Sequence, residues 1–347
     1  MDKVSIIIPV YNRALMVKEA LNAALNQTYK NIEILVVNDG STDNTLEVLE
    51  EMASLYPNIK IINQENQGVA IARQVGLENA SGDYVIFLDS DDLINKVCVE
   101  ELLKAQKTNE APVTLARRFQ KLNDFITLRY RKYPTNFEFS QNPDYLPTLW
   151  VGVTSKMFKK EDAYIVDYKL DANEDLAYIY NYLAKKDKIA CSNKAIYTQR
   201  FAPNSLARDY IYGNLDHIDN TIRPLEIEYD LFINDGLLYT YYAEVEAIFI
   251  KNIMERIVNI KQSKETKEIQ ERLIGILITF LSSKFPNWRQ NKYLKNHFKG
   301  FPFDSFFYVN LALPIALKAK EIMNKDNMDT VEMFNKTLRK GDFYEKL

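Results

Sequence analysis

Tyr84-Val85-Ile86-Phe87-Leu88-Asp89-Ser90-Asp91-Asp92 is the stretch whose reading decides the fold. Five apolar residues without alternation fit a strand buried on both faces, the form strands take inside a parallel sheet. The run then stops abruptly in a cluster of carboxylates. Toward the N-terminus, strand-like runs at residues 5–10, 32–37 and 59–62 alternate with helix-period segments. Val17, Leu21, Ala24 and Leu25 share one helical face, and Leu46, Leu49 and Ala53 share another, whose start Asp43 or Ser41 is placed to cap. A third helical segment, residues 69–80, ends at Ser81-Gly82. This alternation predicts an α/β fold with a mainly parallel sheet flanked by helices.

Toward the C-terminus, residues 111–208 are mixed and rich in aromatics, with strand candidates at 113–116 and 195–197 and a helix candidate at 174–185. Completion of the sheet and an acceptor cleft are expected there. From about residue 210 the pattern changes to long helix-period segments, 241–261 and 265–283. The expected organisation is a catalytic domain over 1–210 and a helical C-terminal domain over 211–347.

Lys and Arg total 44 against 47 Asp and Glu, a net charge of −3, so the broad basic excess of a nucleic-acid binder is lacking. With 47% hydrophobic and 26% charged residues the chain has the composition of a globular protein, which excludes disorder as its main state. Cys98 and Cys191 form no CxxC pair, and Met1-Asp2-Lys3-Val4-Ser5 leads straight into a strand without a signal-peptide pattern. A cytoplasmic protein is the expectation. The longest apolar runs, 273–281 and 306–317, fall short of the ~20 residues that span a bilayer, so no transmembrane helix is expected.

In an open parallel sheet, ligands bind beyond the carboxyl ends of the strands. The polar clusters lie there: Pro9-Val10-Tyr11-Asn12-Arg13, Asn38-Asp39-Gly40-Ser41, Asn63-Gln64-Glu65-Asn66-Gln67-Gly68 and the acidic tip. An aromatic ring at Tyr11 can stack on a nucleobase, Asp39 can accept a base N–H, and Gly68 allows close backbone approach ahead of a helix N-terminus. Clustered Asp89 and Asp91 repel each other unless a cation lies between them, and hard carboxylate oxygens beside a diphosphate suit Mg²⁺ or Mn²⁺. The competing reading is that Asp91 or Asp92 caps a helix over residues 95–103. Glycine spacing excludes both G-x-G-x-x-G and the P-loop, and His217 and His297 alone cannot furnish a histidine-based site. Acid–base work falls to carboxylates.

Ile7-Ile8-Pro9-Val10-Tyr11-Asn12, Val37-Asn38-Asp39-Gly40-Ser41-Thr42-Asp43, Asn66-Gln67-Gly68 with Ala72-Arg73, and Gly82-Asp83-Tyr84 through Asp92 resemble, in order and spacing, the successive motifs of family 2 glycosyltransferases of GT-A fold. The resemblance implies that Pro9, Tyr11 and Asp39 hold the uracil of a UDP-sugar, that Asn12 and Gly68 belong to the donor site, and that Arg73 approaches the donor's ribose, diphosphate or sugar. It assigns Asp89-Ser90-Asp91 to the DxD motif, with Asp91 and Asp89 at an Mn²⁺ or Mg²⁺ ion and Asp92 near the sugar. Asn173-Glu174-Asp175-Leu176 is similar to the family's ED motif, which makes Asp175 the catalytic base and Glu174 an acceptor-positioning residue. Tyr197-Thr198-Gln199-Arg200 is similar to a segment that folds over the diphosphate, which points to Arg200, or in another register Arg208.

The implied activity is inverting transfer to a glycan, teichoic-acid or lipid-linked acceptor. The competing class is a catalytically silent nucleotide-sugar binder. Trp150 is either a wall on which acceptor sugars stack or part of the core. In the helical tail, Lys284, Arg289, Lys292, Lys295 and Lys299 interleave with Phe285, Trp288, Tyr293 and Phe298. An ordinary solvated face with the aromatics turned inward is the first reading, and peripheral membrane contact or a homo-oligomer through the tail is the second.

Overall fold

The computed structural model describes residues 1–122, 125–127, 133–163, 170, 173–200, 218–263 and 265–295. Arg208, His217, His297, Phe298, Lys299 and the apolar run at 306–317 lie outside them. The chain divides into two compact units, Met1–Pro203 and Asn204–Leu347.

The first unit runs β1 (Val4–Val10), α1 (Ala14–Leu25), β2 (Ile32–Asp39), α2 (Thr45–Leu55), β3 (Ile59–Gln64), α3 (Val69–Asn79), β4 (Tyr84–Phe87), β5 (Leu93–Ile94), α4 (Cys98–Asn109), β6 (Val113–Leu122), β7 (Phe125–Thr127), β8 (Asn136–Glu138), β9 (Lys156–Lys159), α5 (Ile179–Lys186) and β10 (Lys188–Arg200). Its sheet has the order β3-β2-β1-β4-β9-β6-β10-β5, with β7 on β6 and β8 on β10. The first four strands are mutually parallel, and β9 inserts antiparallel between β4 and β6.

Every residue of β1 is buried, as a central strand covered on both faces requires. Val17, Leu21 and Ala24 of α1 pack into the same core as Ile6, Ile8, Ile34 and Val36. On the opposite face α3 lies unusually close to the sheet. A Cβ added at Gly76 would stand 2.3 Å from Ile7 Cγ2, so only glycine lets this helix settle there.

Several boundaries differ from the sequence reading. Asn38 and Asp39 are the last residues of β2, paired with Asn63 and Gln64 of β3, and are not part of a turn. The helix expected over 95–103 starts at Cys98, because Leu93 and Ile94 first pair with Thr198 and Tyr197. Asp91 and Asp92 therefore do not cap it. Glu174 and Asp175 open a 3-10 turn, Glu174–Ala177, which Tyr178 at φ −152° separates from α5. The candidate at 195–197 lies within the 13-residue β10, whose pairing with β6 shifts between Ser192 and Ile196. Ser192 Oγ holds that bulge by accepting from the Lys194 and Ala195 amides.

The second unit contains α6 (Asp219–Asn234), α7 (Tyr242–Gln262) and α8 (Lys267–Lys284). Phe249 meets Phe280 and Phe285 at its centre, with ring centroids 5.9 and 5.0 Å apart. Of the tail aromatics interleaved with cations, Phe285, Trp288 and Tyr293 are buried, and Lys292 pairs with Glu244 at 2.7 Å. Among the described residues no helix is long and apolar enough to cross a membrane.

At the amino end of the sheet, away from the strand tips, buried Glu33 accepts from Ser5 Oγ at 2.6 Å, from the Ser81 amide and hydroxyl, and from Lys3 and Lys60 at 3.0 and 3.1 Å. Burial works against its charge, but these donors hold its carboxyl well below the ordinary range. Glu33→Gln is expected to lower stability at pH 7 by about 1.5–3 kcal/mol, the worth of hydrogen bonds to a charged group. A depressed carboxylate contributes fully above its unfolded pKa of 4.5 and loses that contribution as pH falls toward the folded value. Urea denaturation should therefore show the gap between variant and wild type narrowing below pH 4.5.

Candidate active site

The carboxyl ends of β1 to β4 lie side by side at one edge of the sheet. Pro9 lies near the end of β1 in register with Val37, and Tyr11, 44% exposed, stands at the rim. Asn12 adopts φ 50°, a left-handed conformation that asparagine tolerates better than most residues, and there it ties two loops together. Its amide donates to Ser41 Oγ at 3.0 Å, and its Oδ1 accepts from the Thr42 amide at 2.7 Å.

Asp39 is 4% exposed, and its carboxylate does more than face the crevice. Oδ1 accepts from Gln64 Nε2 at 2.7 Å and the Gln67 amide at 2.9 Å, and Oδ2 accepts from the Gly68 amide at 2.9 Å. Gly68, at φ 91°, is then the residue from which α3 starts. Gly40, at φ 70°, has no room for a side chain, since a Cβ there would lie 2.7 Å from the Asn66 amide nitrogen. Asp39 thus fixes the loop at residues 64–68 as well as standing where the uracil is expected.

Arg73, on α3 and 4% exposed, is the centre of the site. Its guanidinium pairs with Asp89 at 2.8 Å and with Glu174, and lies 3.5 Å from Asp175 Oδ1. Burial opposes its charge, and the three carboxylates more than offset that, raising its pKa. Residues 101 positions apart, Arg73 and Glu174, are thereby joined. Asp175 Oδ2 accepts from the Val153 amide at 3.1 Å, while Oδ1 is buried with no hydrogen-bond partner among the described residues. Burial pushes the Asp175 pKa up to about 7, with Arg73 pulling it down and Glu174 pushing it further up. Asn173, at φ 60°, turns the chain into this pair.

At the acidic tip the carboxylates divide into two kinds. Asp92 is 2% exposed and bound, accepting from Tyr197 Oη at 2.6 Å and from the Arg200 amide at 2.8 Å. Tyr197 Oη in turn accepts from the Asp89 amide at 3.3 Å, so one phenol ties both ends of the tip. Ser90 between them is buried. Burial pushes the Asp91 pKa up to about 6, and the charge of Asp89 adds to it. That repulsion is what a cation between the two would relieve. No group of three or more His, Cys, Asp or Glu side chains among the described residues is arranged to hold a metal. Arg200 stands beside the tip, pairing with Glu19 and donating from Nε to the Asp91 carbonyl. Arg208 lies outside the described residues.

Tyr197, which the sequence analysis named only as part of a motif, is the residue at the tip to which it gave no role.

A mainly parallel sheet flanked by helices, with an acidic tip on the fourth parallel strand, makes this a GT-A-like fold. Residues 5–164 match the model of glycosyl transferase family 2. The chain is 34% identical over 221 residues to glycosyltransferase GlyA of Streptococcus pneumoniae, covering 60% of this chain and 32% of that protein. It is 37% identical over 115 residues to a cholesterol galactosyltransferase of Borreliella burgdorferi, covering 33% and 32%. The chain spans less than half the length of these curated relatives. Its fold matches a crystal structure of residues 1–349 of S. aureus TarS in complex with UDP-GlcNAc, with a TM-score of 0.54, 21% identity, and coverage of 86% of this chain and 76% of that one.

Asp39→Ala strands two backbone amides and Gln64, and is expected to cost about 2–3 kcal/mol in stability, since hydrogen bonds to a buried charged group are lost. Chemical denaturation with ligand absent checks this. An unchanged unfolding midpoint would mean that the loop at residues 64–68 is held by other contacts.

Proposed function

We propose that this chain is an inverting, metal-dependent glycosyltransferase that moves a sugar from a UDP-sugar to a hydroxyl of a glycan, teichoic-acid or lipid-linked acceptor. The observation that carries this reading is the meeting of the donor-side tip and the Glu174-Asp175 pair on one buried guanidinium, Arg73. A donor diphosphate at the tip would place its sugar between Asp89 and Asp175.

Asp175 is the base. Oδ2 is anchored by the Val153 amide, and Oδ1, buried and without a hydrogen-bond partner among the described residues, is the atom that takes the proton of the acceptor hydroxyl. A pKa near 7 suits this work at neutral pH, because the carboxylate is available yet basic enough to accept a proton. The acceptor oxygen attacks the anomeric carbon as the bond to the diphosphate oxygen breaks from the opposite side, which inverts the configuration and releases UDP. Glu174, bound to Arg73, positions the acceptor side of the site. Asp91 and Asp89 would hold the divalent ion, which supplies charge stabilisation to the leaving diphosphate. Tyr11 and Asp39 face the uracil, and Arg200 the diphosphate.

Release of UDP from a panel of UDP-sugars, with and without Mn²⁺, tests the reading. One donor should turn over in a metal-dependent manner, and Asp91→Ala should abolish the dependence. Asp175→Asn should keep the Kd for UDP while transfer falls by about 10²–10⁴-fold, the usual worth of a general base. Because the base acts deprotonated, log kcat should rise with pH and level off above about 7. Binding of UDP without turnover of any donor, in the presence or absence of candidate acceptors, would instead identify a silent nucleotide-sugar binder.

A further inference from the structure

Residues 149–155 connect the 3-10 turn Pro143–Thr148 to β9 without belonging to any strand or helix. Such backbone ordinarily runs along the surface and gives its carbonyls to water. Here side chains from elsewhere in the fold take them. Tyr133 Oη donates to the Thr148 carbonyl at 2.9 Å, and Tyr180 Oη to that of Leu149 at 3.3 Å. Lys156 Nζ donates to the carbonyl of Trp150 at 2.8 Å and to that of Gly152. The next residue, Val153, donates its amide to Asp175 Oδ2.

Trp150 is the most exposed side chain of this segment. Trp150 is 39% exposed, yet its indole is held on two sides. The Arg118 guanidinium carbon lies 3.4 Å from the ring centroid, and a Cβ added at Gly152 would lie 2.4 Å from Trp150 Nε1. Lys156 itself is 1% exposed, and burial pushes its pKa down to about 7. Fold stability alone does not call for an ammonium there, because a methionine fills similar space without a buried charge. What the ammonium adds is a fixed course for residues 150–153.

We propose that Lys156 is a positioning residue for transfer: it holds the carbonyls of Trp150 and Gly152, so that the Val153 amide fixes Asp175 and the Trp150 indole, on the same short segment, is the face on which the acceptor's sugar ring packs. The ligand class is a pyranose-bearing saccharide. The C–H face of such a ring packs on an indole, and its hydroxyls then project sideways, toward the carboxylate. The inference rests on the reading of Asp175 as the base, and it names the acceptor half of that site.

Trp150 and Trp288 are the only tryptophans, and Trp288 is buried, so a Trp288→Phe background of the full chain leaves Trp150 as the sole indole reporter. In that background Lys156→Met is expected to lower the fluorescence anisotropy of Trp150 and to raise its quenching by acrylamide. Titration with methyl pyranosides of glucose, galactose and N-acetylglucosamine is expected to shift Trp150 emission, and Gly152→Ala to abolish the shift. In transfer assays Lys156→Met should lower kcat by roughly 10–100-fold through misplacement of the base, with the KM for the donor unchanged. Trp150→Ala should raise the KM for the acceptor alone. If Lys156→Met does not fold, Gly152→Ala keeps the ammonium and moves only the indole, and the same rise in acceptor KM is expected.

Unchanged anisotropy together with wild-type kcat in Lys156→Met, or an unchanged acceptor KM in Trp150→Ala, would overturn the proposal. Full transfer by Asp175→Asn would overturn the base reading instead, and the fluorescence measurements would still decide whether Lys156 holds the indole. A wild-type chain without transferase activity leaves the decision to those same measurements: no emission shift with any pyranoside overturns the saccharide face.

Discussion

The site depends on one cation surrounded by three carboxylates. Asp89, Glu174 and Asp175 come from distant parts of the chain, and without Arg73 they would be neighbouring acids in a partly dry crevice. Bringing like charges together under those conditions raises their pKa values until some are neutral, and neutral groups neither attract a cation nor accept a proton. Arg73 offsets their charge and pulls down the pKa of Asp175, which burial otherwise raises. Loss of one partner from such a buried cluster typically costs about 3–5 kcal/mol, because the remaining charges are uncompensated. The same guanidinium therefore stabilises the fold and distributes protons within the site.

The first four strands, the helices between them and the clustering of polar residues at the strand ends were legible because each rests on local chemistry. An uninterrupted apolar run reads as a central strand, and Asp89 follows directly from where Leu88 ends. The insertion of β9 between β4 and β6 was not legible. Lys156-Met157-Phe158-Lys159 carries no mark of its partners, since antiparallel pairing across some seventy residues is decided by the remaining open edge and not by local pattern. The start of α4 was misplaced for a related reason: Leu93 and Ile94 suit either a helix or a strand, and Tyr197 and Thr198, about a hundred residues on, decide between them.

Within the site the same division holds. Asp39, Arg73, Asp89, Asp91 and the Glu174-Asp175 pair stand in motifs, and the fold brings Arg73, Asp89, Glu174 and Asp175 together. The second duty of Asp39, holding the amides of Gln67 and Gly68, was invisible because main-chain partners leave no signature in side-chain identity. Tyr197 was quoted for its neighbourhood, and its bridge between Asp92 and the Asp89 amide depends on the bulge that shifts β10 against β6.

Gly76 gives the helix that carries Arg73 a particular relation to the sheet. With no side chain between them, α3 settles onto the sheet at a distance set by Ile7 of β1 and Val37 of β2. The guanidinium lies one turn earlier on the same helix, and its reach to Asp89 is measured from that contact. An ion pair at 2.8 Å thus inherits its length from a van der Waals contact elsewhere on the helix. Interiors packed this closely pass small displacements on without absorbing them. The core beneath α3 acts as a gauge block for the charges above it, and mutational drift in this apolar layer would register first as altered acidity in the crevice.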